Sequence, residues 1–361
     1  MKKCPACLTV HENELMFRCN YTPTTLDKLK VFDEREILCC PNCNFGMIEE
    51  DVDEDLLERY YSSDYAGKAR KQAETKTKIA DSRSKHSYDL RSLSQISLIS
   101  QYVDIKSELT IVEIGPGMGN FLFSLKQMNF EGKHISFEPQ EQAQKFLKKL
   151  GSKIEGYNFN IEAAKKYFGS VDLVVMSHAL EHFNPGKVPE ILNAIHSMLK
   201  KGGVFFCEIP HGNLIKYPNA GEMVVPHLSF FSKDSVRHFI KNSDMNLKFI
   251  DTCGVSQFTK DEAKRIDELK SKGHFIYDID PDNQDILRNR NYHNYLAKER
   301  INLEKKQRLL NLISLVLGQK FLLAILDWIR KMKQPPITNI ISKKHFSYGN
   351  DREFLRFIAQ K

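Results

Sequence analysis

The stretch Ile111-Val-Glu-Ile-Gly-Pro-Gly-Met-Gly-Asn120 decides which fold this chain adopts. Its apolar first half predicts a buried strand, and residues 121–128 continue at helical spacing, so the glycines form a strand-to-helix turn. Gly115, Gly117 and Gly119 allow positive φ and leave the backbone N–H groups uncovered by any Cβ, so a ligand can approach the main chain. Because ordinary turns also use glycine, the triplet needs support from the rest of the chain.

Three later segments extend the same pattern. Residues 134–138 predict a second strand ending in Glu138, which follows Gly115 by 23 positions. At about this distance a dinucleotide-binding fold places a carboxylate on ribose hydroxyls. Residues 171–177 and 204–209 predict two further apolar strands, and a helix that ends in Lys-Lys-Gly-Gly separates them. The order of these elements indicates alternating strands and helices.

In this combination the chain resembles the class I S-adenosylmethionine-dependent methyltransferases. The resemblance covers roughly residues 108–255 and rests on Glu113-x-Gly-x-Gly-x-Gly119, Glu138, the strand 171–177 with Leu-Glu-His behind it, and the turn at 199–203. It implies an α/β, Rossmann-like sheet of seven strands that binds S-adenosylmethionine at the glycine loop. The cofactor-binding residues it indicates are Glu113, Gly115, Gly117, Gly119, Glu138, Asn160, Ser177 and His178. Asn160 is included because a polar residue after the third strand usually reads the adenine amino group in this family.

Three histidines and one tyrosine are candidates for the acceptor side of the site. His178 and His182 follow a central strand four residues apart, where open α/β sheets bind ligands, although packed core histidines are the alternative. In the sugar methyltransferases that the chain resembles, a histidine beside the transferred methyl matches His227, and a neutral imidazole can accept a hydroxyl proton. Tyr65 lies in a tyrosine cluster that the resemblance places over the active site as a lid, whereas a simple linker helix is the alternative.

Two Cys-x-x-Cys pairs predict a metal site near the N-terminus. Cys4 and Cys7 form one pair, and Cys40 and Cys43 form the other, with 32 residues between the two pairs. Four thiolates at this spacing suit tetrahedral zinc, and a reducing compartment favours metal over disulfides. A closed four-thiolate site has no open coordination position, so we expect this zinc to be structural.

Composition sets only broad limits on compartment and partners. With 41% apolar and 27% charged residues the chain is typical of a soluble protein, and its net charge of +7 permits an anionic partner without requiring one. The first ten residues contain no apolar stretch of signal-peptide length. We therefore expect a cytoplasmic protein.

The sequence predicts five segments. These are a zinc-binding module at 1–55, a helical linker or lid at 56–107, the methyltransferase core at 108–255, a helical insertion at 256–347 and a final strand at 348–361. The resembled fold needs a seventh strand that runs antiparallel to the others, and the apolar run around Phe357 after a turn-like Gly-Asn-Asp supplies it. A frayed tail is the alternative for these last residues.

One apolar stretch stands out in the predicted insertion. Residues 309–329 are interrupted by polar side chains and are therefore unsuited to cross a membrane. A packed helix of the core or of a homodimer is one interpretation. Because basic residues flank the stretch and Trp328 lies near its end, a helix on a membrane surface is the other.

The combined prediction is O-methylation of a small, glycan-related acceptor, such as a sugar, a sugar nucleotide or a precursor in polysaccharide biosynthesis, with a histidine general base. After the fourth strand the chain has no Asn/Asp-Pro-Pro-aromatic motif of the kind that amino-directed members carry, which weakens a nucleobase nitrogen as acceptor. Sugar C-methylation is an alternative. An RNA-binding zinc knuckle or an rRNA methyltransferase is another, but the acidic residues between 34 and 55 would repel phosphate.

Overall fold

The computed structural model describes residues 1–12, 17–20, 36–64, 90–105, 108–156, 159–212, 227–255, 346–348 and 354–361. Several predictions therefore lie outside the described residues. These concern Tyr65, most of the linker beyond residue 64, the helical insertion and the apolar stretch 309–329.

Fourteen strands are found in the described part of the chain. They are β1 (Lys2–Lys3), β2 (Val10–His11), β3 (Phe17–Asn20), β4 (Glu36–Cys39), β5 (Gly46–Ile48), β6 (Thr110–Ile114), β7 (Lys133–Phe137), β8 (Lys153–Ile154), β9 (Val171–Ser177), β10 (Leu199–Pro210), β11 (Ser229–Phe230), β12 (Asn246–Val255), β13 (Phe346–Tyr348) and β14 (Phe354–Gln360).

The α-helices of the described residues are α1 (Glu54–Arg59), α2 (Leu90–Ile99), α3 (Asn120–Gln127), α4 (Glu141–Lys149), α5 (Ile161–Ala164), α6 (Val188–Met198) and α7 (Lys233–Asn242). A π-helical turn, Tyr60–Asp64, directly follows α1, and 3₁₀ turns occur at Lys165–Tyr167, Leu180–His182 and Pro185–Lys187.

The large sheet has the strand order β13-β12-β14-β10-β9-β6-β7-β8. Strands β6 to β10 are mutually parallel, and β14 is antiparallel to both of its neighbours, β10 and β12. The predicted Rossmann-like α/β sheet of seven strands is confirmed, and the three-residue β13 extends it by one strand beyond β12.

Alternation along the central strands buries both faces of this sheet. In β6, Ile111 packs in the core beneath α2 and α3, whereas its neighbour Val112 packs in the core on the opposite face. The same alternation separates Val175 from Met176 in β9. Strands covered on both faces read as continuous apolar runs, which is the pattern that the sequence shows.

A buried ion pair joins the last strand, β14, to its neighbour β10. Arg356 of β14 lies directly opposite Glu208 of β10, and its Nε donates to Glu208 Oε2. Both side chains are fully buried. Removing one partner of such a pair leaves an uncompensated charge, which typically costs about 3–5 kcal/mol of stability.

The N-terminal residues pack directly on the large sheet's own helices. A four-stranded sheet has the order β11-β5-β4-β3, so the short β11 joins the sheet to the segment that follows His227. Phe45 lies against Phe239 of α7, with ring centroids 5.0 Å apart. The Asn184 side chain accepts a hydrogen bond from the Val52 N–H at 2.8 Å. The predicted module at 1–55 thus shares one of its sheets and its core with the later chain.

Among the described helices, none combines the length and the apolar character that crossing a membrane requires.

Candidate active site

A cavity of about 350 Å³ opens at the carboxyl ends of β6, β7 and β9. The glycine loop forms one side, and α1 with the turn after it forms another. The lining residues are Glu54, Leu57, Glu58, Tyr61, Ile114, Gly115, Pro116, Gly117, Phe137, Glu138, Pro139, Gln140, Phe159, Ser177, His178, Ala179, His182 and Phe183. Ligands bind at this edge in open α/β sheets because the turns after parallel strands leave a crevice there.

Glycine is required in the loop for two different reasons. Gly115 has φ +68°, and a Cβ built on it would lie 2.8 Å from the Ala179 Cβ, so the close approach of the two segments excludes a side chain. Gly117 has φ +53°, and a Cβ there would meet nothing within 4 Å. Because Gly117 lines the cavity, any side chain at this position projects into the space for a ligand.

Glu138, at the end of β7, fixes the loop and lines the cavity. Its Oε2 accepts a hydrogen bond from the Gly117 N–H at 2.8 Å, and its Oε1 accepts one from the Gln140 N–H at 2.9 Å. Burial raises the pKa of the Glu138 carboxyl to about 7, and the nearby Glu113 acts in the same direction. Each carboxylate oxygen retains a lone pair for a hydroxyl of a bound ligand.

Two of the residues predicted to bind the cofactor have a structural role in the loop. Glu113 is buried behind the loop, where its Oε2 lies 3.1 Å from the His134 Nε2, and its side chain does not line the cavity. Gly119 has φ +67° and is the N-cap residue of α3. Both residues shape the loop and are not cavity-lining groups.

Asn160, which the sequence predicts to read the adenine amino group, is not among the residues that line the cavity. Asn160 is exposed, and its side chain accepts a hydrogen bond from the Ala163 N–H at 2.9 Å, which caps α5. The cause is that β8 ends at Ile154, so residue 160 lies beyond the strand, in the cap of a helix. Phe159 contributes the cavity wall in its place.

Imidazoles cluster around a buried carboxylate at one end of the cavity. The Oε1 of Glu181 lies 3.3 Å from the His178 Nδ1 and 4.0 Å from the Nε2 of both His182 and His227. His178 and His182 line the cavity, whereas His227 is buried behind them, with its ring centroid 4.7 Å from that of His182. The sequence predicted the three histidines, and the tertiary fold adds Glu181 between them.

Burial, reinforced by the neighbouring His182 and His178, lowers the pKa of the His227 imidazole well below its usual range. Its ring is therefore neutral near pH 7. His178 has φ +52°, an unusual conformation for a residue with a side chain, and this places the ring between Glu181 and Glu208. Strained backbone of this kind is concentrated at functional sites.

Sequence reasoning missed two contributions to the site. Tyr61, four residues before the predicted Tyr65, places its hydroxyl 2.8 Å from the His182 Nδ1. Glu208 lies behind His178 and accepts hydrogen bonds from Arg91 at 2.5 Å and Gln95 at 3.0 Å. The tyrosine cluster in the sequence indicated the segment that contains Tyr61. Glu208 is a single carboxylate in an apolar strand, and no sequence pattern indicated its role.

The four predicted metal-binding cysteines come together. Cys4 Sγ lies 3.6 Å from Cys43 Sγ, and Cys7 Sγ lies 3.6 Å from Cys40 Sγ. The His11 Nε2 is 3.2 Å from the Cys40 Sγ. The cluster is connected to the rest of the fold through Ser232, whose hydroxyl donates to the Cys43 carbonyl at 2.8 Å.

Comparison with known proteins found one matching family model and solved structures of low sequence identity. Residues 84–247 match the family model described as "Methyltransferase domain". An S-adenosylmethionine-dependent methyltransferase from Archaeoglobus fulgidus is 15% identical, covers 74% of this chain and 94% of its own, and has a TM-score of 0.38. One from Mesorhizobium loti is 14% identical over 51% of this chain and 94% of its own, with a TM-score of 0.36. No curated protein sequence matches the chain significantly.

The sheet order, the glycine loop with Glu138 and the family match together define the class of protein. The chain carries a class I methyltransferase domain and is an S-adenosylmethionine-dependent methyltransferase. S-adenosylmethionine is the cofactor that this class uses, and several residues that the sequence predicts for it, among them Gly115, Gly117 and Glu138, line the cavity beside the loop.

The glycine loop can be tested with a matched pair of substitutions. Gly117→Val should abolish cofactor binding, because its side chain enters the cavity. Gly151→Val is the control: Gly151 also has positive φ (+87°) and open space for a Cβ, but it does not line the cavity. Calorimetric titration with S-adenosylmethionine measures both variants. Equal loss of affinity in the two proteins would assign the effect to backbone strain and contradict the prediction.

The carboxyl of Glu138 should give cofactor binding a characteristic pH dependence. With its pKa raised to about 7, the side chain gains a proton as the pH falls below this value and can no longer accept two ligand hydrogen bonds. Affinity for the cofactor should be full above pH 7 and fall by at most about tenfold per unit below it. In Glu138→Gln it should be weaker and nearly independent of pH. A slope that persists in this variant would belong to another group and would contradict the prediction.

Proposed function

We propose that this enzyme transfers a methyl group from S-adenosylmethionine to an oxygen atom of a small, glycan-related acceptor. The observation that carries the proposal is the imidazole cluster at the end of the cavity. His182 forms part of the cavity wall, and the Tyr61 hydroxyl contacts its Nδ1. Glu181 and His227 lie behind it. A hydroxyl must lose its proton as it accepts a methyl group, and this cluster supplies proton acceptors at that place.

The acceptor's size and class rest on two further points. Because a cavity of about 350 Å³ has to hold the cofactor, the proposal places only a small acceptor group near His182. The glycan assignment comes from the segment containing His227, which resembles that of sugar methyltransferases. A sugar, a sugar nucleotide or a precursor of a surface polysaccharide fits this description.

The reaction is a single displacement. When bound, the cofactor would supply the methyl group on its sulfonium, and the acceptor oxygen would take this methyl as the carbon–sulfur bond breaks and its electron pair stays on sulfur. The acceptor's hydroxyl proton passes to the imidazole cluster. Most of the rate enhancement comes from holding the hydroxyl in line with the sulfonium, and proton removal typically adds about 10²–10⁴-fold.

The geometry favours His182 over His227 as the group that meets the acceptor. His182 lines the cavity, whereas His227 is 4% exposed and lies behind it. In the proposed mechanism His227, predicted from sequence as the general base, supports His182 through ring contact. Tyr65, the other predicted catalytic residue, lies outside the described residues, and Tyr61 contacts His182 directly.

The experiment that tests the proposal measures S-adenosylhomocysteine formation with a panel of sugars and sugar nucleotides. His182→Ala should lower turnover by about 10²–10⁴ and leave cofactor affinity unchanged, because the imidazole acts on the acceptor. His238→Ala, on the surface of α7, should leave turnover unchanged. Nuclear magnetic resonance of the product identifies the methylated atom. A new carbon–methyl bond, or methylation of RNA alone, would contradict the proposed O-methylation.

We also propose that the four cysteines bind one structural zinc ion. Four sulfurs held at about 2.3 Å from one tetrahedral ion lie about 3.8 Å apart, close to the 3.6 Å separations of the two Sγ pairs. Such an ion would fix the segment that carries β4 and β5, and with it the strand β11 that follows His227. Its role in this proposal is to hold one wall of the imidazole cluster in place.

Metal analysis of the purified protein should give about one zinc per chain, and Cys4→Ser should remove it. Loss of the ion should lower the melting temperature, because metal binding contributes to folding free energy. Cys253→Ser, a substitution of a buried cysteine in β12 outside the cluster, is the control and should keep the zinc. A zinc-free protein that retains its full thermal stability would rule out the structural ion.

A further inference from the structure

Glu181, His182 and His227 form a second cluster of metal-binding atoms, separate from the four cysteines. One ligand atom from each of the three residues lies within 4.8 Å of the other two. The Nε2 atoms of the two histidines are each 4.0 Å from the Glu181 Oε1. Two imidazoles and one carboxylate are a ligand set that binds divalent transition metals and leaves coordination positions open.

The spacing is close to that of an occupied site. Two atoms that each bind the same ion at about 2.1 Å are separated by at most about 4.2 Å. The two separations of 4.0 Å from the carboxylate already satisfy this limit. Three ligands of one ion cannot all lie opposite one another, so binding would draw the three side chains closer together than they lie here.

The surrounding contacts orient the three ligands. The Tyr61 hydroxyl lies 2.8 Å from the His182 Nδ1. In the tautomer that donates Nδ1–H to Tyr61, the His182 Nε2 on the Glu181 side presents its lone pair. Metal-binding histidines are typically held in this way by a partner on the other ring nitrogen.

The backbone brings the other two ligands together. Leu228, the residue after His227, donates its N–H to the Glu181 carbonyl at 2.9 Å. The Leu228 carbonyl in turn accepts a hydrogen bond from the Ile48 N–H at 3.1 Å. The segments that contain Glu181 and His227, 46 positions apart in the chain, are thus held together by backbone hydrogen bonds.

We propose that Glu181, His182 and His227 bind a divalent first-row transition-metal ion, such as Mn²⁺ or Fe²⁺, at the acceptor end of the cofactor cavity. Two imidazole ligands favour such an ion over Mg²⁺ or Ca²⁺, which prefer oxygen ligands alone. Of the three ligands, His182 lines the cavity, whereas Glu181 and His227 lie behind it.

The role of the ion rests on the proposed function, whereas its binding does not. An acceptor oxygen bound to the ion would have a lowered pKa, so its hydroxyl proton would pass more readily to solvent water before the oxygen takes the methyl group. In this state His182 and His227 act as ligands and the ion replaces the imidazole as the agent that makes the hydroxyl nucleophilic. Substituting His182 lowers turnover under either role, so metal binding has to be measured directly.

Titration with MnCl₂, followed by the electron paramagnetic resonance signal of free Mn²⁺, tests the proposal on the full-length protein. Thiolates are soft ligands that hold Mn²⁺ poorly, so the cysteine cluster keeps its zinc and does not interfere. The wild-type protein should bind about one Mn²⁺. Glu181→Gln and His227→Gln should weaken binding at least about tenfold, because losing even a hydrogen-bond partner of a metal ligand typically costs about 10–100-fold. His238→Gln, a partly exposed residue of α7, should bind as the wild type does.

Pulsed electron paramagnetic resonance of the wild-type complex gives an independent check that needs no substitution. Mn²⁺ held by His182 and His227 should show couplings to imidazole nitrogen. A wild-type protein that binds no Mn²⁺ at millimolar concentration, a bound ion without nitrogen couplings, or unchanged affinity in both ligand variants would overturn the proposal. If the ion binds and no hydroxyl acceptor is methylated, the metal site stands and only the proposed function fails.

Discussion

The buried ion pair between Glu208 and Arg356 is the constraint on which the rest of the structure depends. Burial alone would raise the pKa of Glu208, but the guanidinium groups of Arg356 and Arg91 outweigh it and hold the pKa well below its usual range. The carboxylate is therefore charged, and it joins the C-terminal strand to β10 and to helix α2. It also lies 3.5 Å from the His178 Nε2, so the contact that closes the sheet supports the wall of the cavity.

The active-site cavity is assembled from parts of the chain that are far apart in sequence. The turn after α1 brings Tyr61, the end of β9 leads to Glu181, and the segment before β11 brings His227. The N-terminal module fixes the last of these because β11 pairs with β5. A structural zinc ion far from the cofactor would therefore influence acceptor chemistry by holding this pairing in place.

The cofactor end and the acceptor end of the cavity differ in how their buried carboxylates are surrounded. At the cofactor end the carboxyl of Glu138 has a raised pKa because burial and the nearby Glu113 outweigh the backbone N–H groups that donate to it. At the acceptor end a carboxylate is surrounded by imidazoles at 3.3 to 4.0 Å. The first arrangement suits neutral ribose hydroxyls. The second suits a group that must lose a proton, or a metal ion that promotes this loss.

The sequence by itself determined the sheet, the glycine loop with Glu138 and the pairing of the cysteine knuckles, because each depends on short-range pattern: apolar runs, positive φ and fixed spacing. The capping box that starts α7 at Ser232 is local in the same way. Only the tertiary structure decided that Asn160 caps a helix, that Glu113 faces His134, and that Glu208 meets Arg356 across 148 positions. Those outcomes depend on strand length and on which distant segments pack together, and a buried charge has no signature in sequence until its partner is known.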